Sequence, residues 1–273
     1  MRKFIAILGT VLLANTLLTS CGGTAQNSSE KSVPKRSAAI PKTGTGEAAP
    51  GGGTYLNEPI PADVLNLSLV DQNGKPFTLQ SLKGKTVVIT NFLTSCQEIC
   101  PMTSANMRDI GDAIVNVKAS NKIKVLEITI DAKRDVPSRL LAYQNLFATK
   151  NWVLTGGSAA DLAKLWDYFG APATMEEFSK ADQEVNPPDW QTGKPSAYDM
   201  MHAEIVIIID EKSTWRWLDL GAPEVGSSGI PEKLKAYLTP DGLKNLAKPE
   251  GSSWKVGAVY SALMDITGVQ LEN

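Results

Sequence analysis

The run Thr86-Val87-Val88-Ile89-Thr90-Asn91-Phe92-Leu93 constrains the fold more than any other stretch of the chain. Its β-branched and aromatic side chains suit a pleated surface. An apolar run without alternation predicts a strand buried on both faces, which needs a layer above and a layer below. Ile123 to Ile130 has the same character. Between the two, Pro101 to Val117 places Met102, Met107, Ile110, Ile114 and Val117 at helical spacing.

The rest of the chain continues the alternation. Leu65 to Val70 predicts a short strand, with Asn73-Gly74 as the following turn. Pro137 suits the first turn of a helix over Ser138 to Ala148. Trp152 to Leu154 predicts a short strand and Ala159 to Tyr168 a helix. Gly170 to Ala197, with Pro172, Pro187, Pro188 and Pro195, predicts a surface loop or inserted excursion. Glu204 to Asp210 and Thr214 to Leu220 predict a strand hairpin, and Pro231 to Leu238 a helix. The stretch after Pro240 carries little pattern. The expected fold class is α/β, a mixed sheet flanked by helices.

The amino terminus is different. Arg2 and Lys3 precede an apolar run from Phe4 to Leu18, which ends in Leu18-Thr19-Ser20-Cys21. A positive start, a short apolar core and small residues predict a secretory signal over residues 1–20. The run is short for a membrane-spanning helix, which needs about 20 apolar residues. Leu-Thr-Ser-Cys resembles the bacterial lipobox, which implies cleavage before Cys21 and a lipid on its sulfur. Residues 21–54 are rich in Gly, Ser, Ala, Thr, Pro and Lys and predict a flexible tether. A folded domain is expected over 55–240, and a C-terminal extension over 241–273. The expected location is the cell membrane, lipid-anchored on the extracytoplasmic side. Loss of Arg2 and Lys3 lowers Lys plus Arg from 27 to 25 against 29 Asp and Glu, a net charge of −4. That acidity argues against a nucleic-acid partner.

With Cys21 lipidated, Cys96 and Cys100 are the remaining thiols of a chain with three cysteines. A disulfide across so small a loop would stabilise little. A close pair is more often reactive or metal-binding. Cys96-Gln97-Glu98-Ile99-Cys100-Pro101 follows the buried strand and opens the helix. Residues i and i+4 share a helical face, and the helix start favours thiolate. Two soft sulfurs suit copper(I). The pair alone fits redox and metal chemistry equally. His202 is the only histidine and precedes an apolar strand, where α/β sheets place their sites. Met200 and Met201 beside it read first as packing.

Taken together, these segments resemble the Sco/SenC family. Phe92-Leu93-Thr94-Ser95-Cys96-x3-Cys100-Pro101 is similar to its cysteine motif. Ile128 to Asp135 is similar to its strand followed by Asp-Pro-x-Arg-Asp, Leu154-Thr155-Gly156 to a later strand-turn, and Tyr198 to His202 to its Tyr-x-x-Asp-His motif. The resemblance runs from about Leu65 to Leu220. It implies a thioredoxin-like fold. It also implies a copper ion held by Cys96, Cys100 and His202, and partnership with the copper-binding subunit of cytochrome c oxidase and with other copper carriers. The role would be delivery of copper to the oxidase's binuclear centre, reduction of that centre's cysteines, or both.

Four positions depart from the family pattern. Ala132 replaces the proline of the Asp-Pro segment, Gln97 stands where a proline is common, Met201 replaces the aspartate before the histidine, and Ala203 replaces a hydroxyl residue after it. The missing aspartate removes a group that could orient the imidazole. Asp199 is the nearest substitute in sequence.

The leading expectation is a copper metallochaperone, a binding and transfer protein rather than an enzyme. The first alternative is a thiol-disulfide oxidoreductase, with Cys96 and Cys100 as its reactive pair, which keeps the oxidase cysteines reduced. A thiol peroxidase would need a cation near a reactive cysteine, for which Arg134 is the nearest candidate in sequence. A redox sensor or interaction protein is the remaining reading.

Overall fold

The computed structural model describes residues 46–272 except 227, 250 and 252. The expected signal, Cys21 and most of the expected tether lie outside the described residues. Among the described residues, no helix is long and apolar enough to cross a membrane.

The chain opens with β1 (Glu47–Ala48), β2 (Thr54–Pro59) and the single turn α1 (Ala62–Leu65). Then come β3 (Leu69–Asp71), β4 (Pro76–Phe77), β5 (Thr86–Phe92) and α2 (Cys100–Asn116). β6 (Ile123–Thr129), α3 (Pro137–Gln144), β7 (Val153–Gly157) and α4 (Ala159–Tyr168) complete two parallel crossovers and a further helix. Next are β8 (Thr174–Glu177), α5 (Lys180–Val185), β9 (Tyr198–Met201), β10 (Ile205–Ile209) and β11 (Thr214–Leu220). The chain ends with β12 (Ala222–Pro223), α6 (Glu232–Lys235), α7 (Pro240–Ala247), β13 (Ser253–Trp254) and α8 (Val256–Thr267).

Among the described residues, nine strands form one mixed sheet in the order β1-β2-β11-β10-β5-β6-β7-β3-β4. β5 pairs parallel with β6 and antiparallel with β10, and β10 pairs antiparallel with β11. The order β6-β5-β10-β11 with these senses is a thioredoxin-like arrangement. Every residue of β5 is buried, because it lies at the centre with α2 packed on it and on β6. α3 and α4 pack on β7, and α2 also meets α8.

The β-rich centre matches its sequence pattern, and the differences lie at the margins. Leu65 to Val70 splits into the end of α1 and the start of β3. The turn after β3 is built by Asp71, whose carboxylate accepts the N–H groups of Asn73 and Lys75 at 2.9 Å, with Gly74 at φ +79°. β1 pairs with β2, so strand pairing begins before Tyr55.

Residues 170–197 are not a plain surface loop. They carry β8 and α5, and β8 pairs with β9 as a two-stranded sheet. Trp190 from this excursion is 9% exposed and meets the Tyr143 ring edge-on at 5.7 Å. A tryptophan that buries its large surface holds an otherwise polar excursion to the domain. The residues after Pro240 also join the core: Trp254, Val259 and Leu263 are almost fully buried.

Candidate metal centre

The site lies where β5 ends and β10 begins, two neighbouring strands of the sheet. Cys96 sits in the loop after β5, and Cys100 is the first residue of α2. The Sγ of Cys96 accepts the N–H of Ile99 at 3.4 Å and of Cys100 at 3.3 Å. These are amides that a helix start leaves without internal partners, so the sulfur takes the place of a cap. The arrangement separates the two thiols. Cys96 is 9% exposed and Cys100 is completely buried, and both are free. A hydrogen bond from the Cys100 thiol, helped by the two amides, holds the Cys96 thiol below its usual range against the opposing effect of burial. Burial, and then the Cys96 sulfur beside it, pushes Cys100 well up.

His202 follows β9, and its side chain is 7% exposed. Burial lowers its pKa to about 4, so the ring is neutral at ordinary pH. Asn91, the one amide in the β-branched run, fixes the segment beside it. Its Oδ1 accepts the N–H of Ile205 at 3.1 Å and its Nδ2 donates to the carbonyl of Ala203 at 2.7 Å. The same Nδ2 lies 3.1 Å from Nδ1 of His202. The Ala203 carbonyl lies 3.2 Å from that ring nitrogen. Nδ1 therefore has a donor and an acceptor next to it. When Nδ1 carries the proton and donates to the carbonyl, Nε2 presents its lone pair to the site.

The Sγ of Cys100, a ring nitrogen of His202 and a carboxylate oxygen of Glu204 lie within 4.8 Å of one another. Cys96 adjoins Cys100 but is not a member of this group. Glu204 and Asn91 are the residues that sequence reasoning missed. The signals were small: an amide inside an apolar strand and a carboxylate at the head of another. Burial pushes the Glu204 carboxyl well above its usual range, so it and the neutral imidazole are not an ion pair.

Asp199 does not take the place of the missing aspartate. Its Oδ1 accepts the N–H of Met200 at 2.8 Å, while the imidazole is held by Asn91 and Ala203. The Met201 side chain is exposed, and Met200 packs against the core. Arg134 is engaged by the Asp131 carboxylate and by Tyr198, with its guanidinium 3.9 Å from the centre of that ring. It holds the start of β9 in place.

The cysteine loop is clamped from three directions. The buried Asp135 accepts the N–H of Thr94 at 3.1 Å. Trp190 of the excursion donates to the Thr94 carbonyl at 2.7 Å. Tyr237 donates to the Ser95 carbonyl at 2.9 Å. Gln97 is buried, and its Nε2 donates to the Pro187 carbonyl at 2.6 Å. Its own carbonyl accepts the N–H of Thr239 at 3.0 Å. Where the family pattern has a proline, this chain has a residue that ties the loop to the excursion and to the C-terminal segment.

A family model described as SCO1/SenC matches residues 64–239. An SCO1 protein homolog of Bacillus subtilis is 29% identical over 115 residues, 41% of this chain and 58% of the relative. An SCO2-like protein of Rickettsia conorii is 40% identical over 93 residues, 33% of this chain and 43% of the relative. The chain thus spans about half the length of these curated relatives. A solved structure of copper-bound ScoI from Bradyrhizobium japonicum is 25% identical, covers 63% of this chain and 97% of its own, and superposes with a TM-score of 0.46. With the family model covering well over half of its length, including both cysteines and the histidine, the chain belongs to the SCO1/SenC family.

Proposed function

We propose that this chain is an extracytoplasmic copper-binding protein that assists assembly of the binuclear copper centre of cytochrome c oxidase. Cys96, Cys100 and His202 are the proposed ligands. The observation that carries the reading is the convergence of the Cys100 sulfur, the His202 imidazole and the Glu204 carboxylate, with the Cys96 sulfur adjoining. Two sulfurs and an imidazole, shielded from water, are a donor set suited to copper. Relatives named for copper support the assignment: a protein of Stutzerimonas stutzeri, 30% identical over 44% of this chain and 58% of its own length, is named as copper-binding. The proposed partners are the copper-binding oxidase subunit and other copper carriers. The proposed attachment is a lipid on Cys21, so Cys21→Ser is expected to release the protein from membranes.

The test is anaerobic titration of the reduced protein with Cu(I), in competition with a chelator of known affinity. One equivalent is expected to bind, and Cys96→Ser and Cys100→Ser to abolish tight binding. Failure of the parent protein to bind Cu(I) overturns the proposal.

The asymmetry of the thiols favours a second reading, a thiol-disulfide oxidoreductase. A cysteine drawn toward thiolate, 9% exposed, next to a completely buried thiol raised well up is the arrangement of an attacking and a resolving cysteine. His202→Ala separates the two. It weakens copper binding by about 10–100-fold or more if the imidazole is a ligand, and it spares dithiol exchange.

A further inference from the structure

We propose that Glu204 is a fourth ligand of the metal site, an oxygen donor that acts on the divalent ion and not on the monovalent one. This rests on the copper reading above and extends it to the oxidation state that the site prefers.

The geometry comes first. The Oε1 of Glu204 is 3.6 Å from Nε2 of His202 and 3.8 Å from Sγ of Cys100. Donors bound at roughly 2.0–2.3 Å to one ion at tetrahedral to trigonal angles lie roughly 3.3–3.7 Å apart. The two distances to Oε1 are therefore already about those that a shared ion requires, and the Cys100 sulfur and a His202 ring nitrogen lie within 4.8 Å of each other. The second oxygen, Oε2, is buried and makes no full hydrogen bond among the described residues; the carboxyl's remaining polar neighbour is the Thr103 hydroxyl, itself buried and otherwise unsatisfied. A buried carboxyl whose second oxygen is so weakly satisfied costs free energy and calls for an explanation. A bound cation supplies one.

The backbone explains why the carboxylate points there. His202 and Glu204 are two residues apart on the connection from β9 into β10. That spacing puts two side chains on one side of an extended chain. Asn91 grips the connection at the Ala203 carbonyl and the Ile205 amide, one on each side of Glu204. The ligand is thus held in place by a rigid neighbour on the central strand, as a preformed site requires.

Charge decides which ion it serves. Two thiolates around Cu(I) already leave the buried site with one excess negative charge, and a third anion would add another. Around Cu(II) the two thiolates balance the ion, and the carboxylate adds only one. Oxygen is also the harder donor and suits the divalent state, whereas the sulfurs suit the monovalent one. Met201 stands where the family pattern has an aspartate before the histidine, and Glu204 provides a carboxylate two residues after it.

The test measures Cu(II) and Cu(I) affinities of the reduced full chain and of Glu204→Gln, anaerobically, with electron paramagnetic resonance of the Cu(II) forms. Glu204→Gln is expected to lose about 10–100-fold in Cu(II) affinity, with a changed spectrum and a much smaller change for Cu(I). The same selective loss raises the Cu(II)/Cu(I) potential by about 60–120 mV. A Glu204→Gln protein that binds both ions as the parent does, with an unchanged spectrum, overturns the inference while the copper reading stands. A parent that binds neither ion overturns both. Should Glu204→Gln fail to fold by circular dichroism, the parent grown with isotope-labelled glutamate decides the matter. Pulsed resonance of its Cu(II) form is expected to show a carboxylate carbon coupled to the ion, and its absence overturns the proposal.

Discussion

The side-chain amide of Asn91 stands 3.1 Å from Nδ1 of His202 while the same group donates to the Ala203 carbonyl, so one residue of the central strand positions both the ring and the backbone beside it. Asn91 meets Nδ1, while Nε2 is the ring nitrogen that faces Glu204 and the proposed site. It acts through the histidine, as residues behind a metal ligand commonly do.

Asn91→Ala therefore frees the imidazole and the connection into β10. The expected result is a loss of about 10–100-fold in copper affinity, with the thiols of Cys96 and Cys100 unchanged in number. Chelator competition measures the first and thiol titration the second. Affinity equal to the parent's would show that the ring needs no such support.

Gly242 lies on α7 against the cysteine loop. A Cβ on it would come 2.3 Å from the Gln97 carbonyl and 3.1 Å from Cα of Glu98. Backbone cannot yield as a flexible side chain does, so Gly242→Ala must push α7 or the loop aside. The expected cost is about 1–3 kcal/mol in denaturant unfolding, together with faster modification of Cys96. A variant as stable as the parent, with unchanged Cys96 reactivity, would mean that the C-terminal segment does not clamp the loop.

Glu127 on β6 is completely buried, and burial raises its pKa from 4.5 to about 8. Ser104 and Trp152 donate to it at 2.9 and 2.8 Å, which offsets burial only in part. The folded pKa is above the unfolded one. Its favourable contribution is therefore full below about pH 4.5 and is lost as pH rises through about 8. Glu127→Gln keeps both hydrogen-bond partners and has no charge to bury. Between pH 5 and 8 its stability relative to the parent is expected to rise with pH, by up to about 1.4 kcal/mol per pH unit. Urea unfolding at several pH values measures the difference, and a difference that stays flat with pH would show that Glu127 is ionised in the folded protein.

The two thiols are expected to react unequally. Cys96 is drawn toward thiolate and 9% exposed, whereas Cys100 is raised and completely buried. Alkylation of the reduced protein near neutral pH, followed by mass spectrometry, is expected to modify Cys96 faster by on the order of tenfold or more. Equal rates would remove the structural basis for the attacking and resolving roles.

Wherever a pattern is local, the sequence by itself determined the outcome. β5, β6 and β10 follow from apolar runs, because a strand buried on both faces has no polar register to keep, and β11 follows from the hairpin after β10. α2 follows from 3.6-residue spacing, and Cys96, Cys100 and His202 stood out through the scarcity of their residue types and the motifs around them. The tertiary structure decided what depends on distant segments meeting. Asn91 and His202 are 111 positions apart, and Gln97 and Tyr237 are 140 apart. No window of sequence contains both members of such a pair. Glu204 stood in the sequence only as the first residue of an apolar strand, and the fold brings its carboxyl against the Cys100 sulfur. The excursion and the last helix carried weak patterns because their stability comes from single anchors, such as Trp190, and from a face shared with α2 rather than from local propensity. Chemistry-bearing residues are legible one by one, whereas their orientation and burial, and so their pKa values, exist only once the sheet has brought its two central strands side by side.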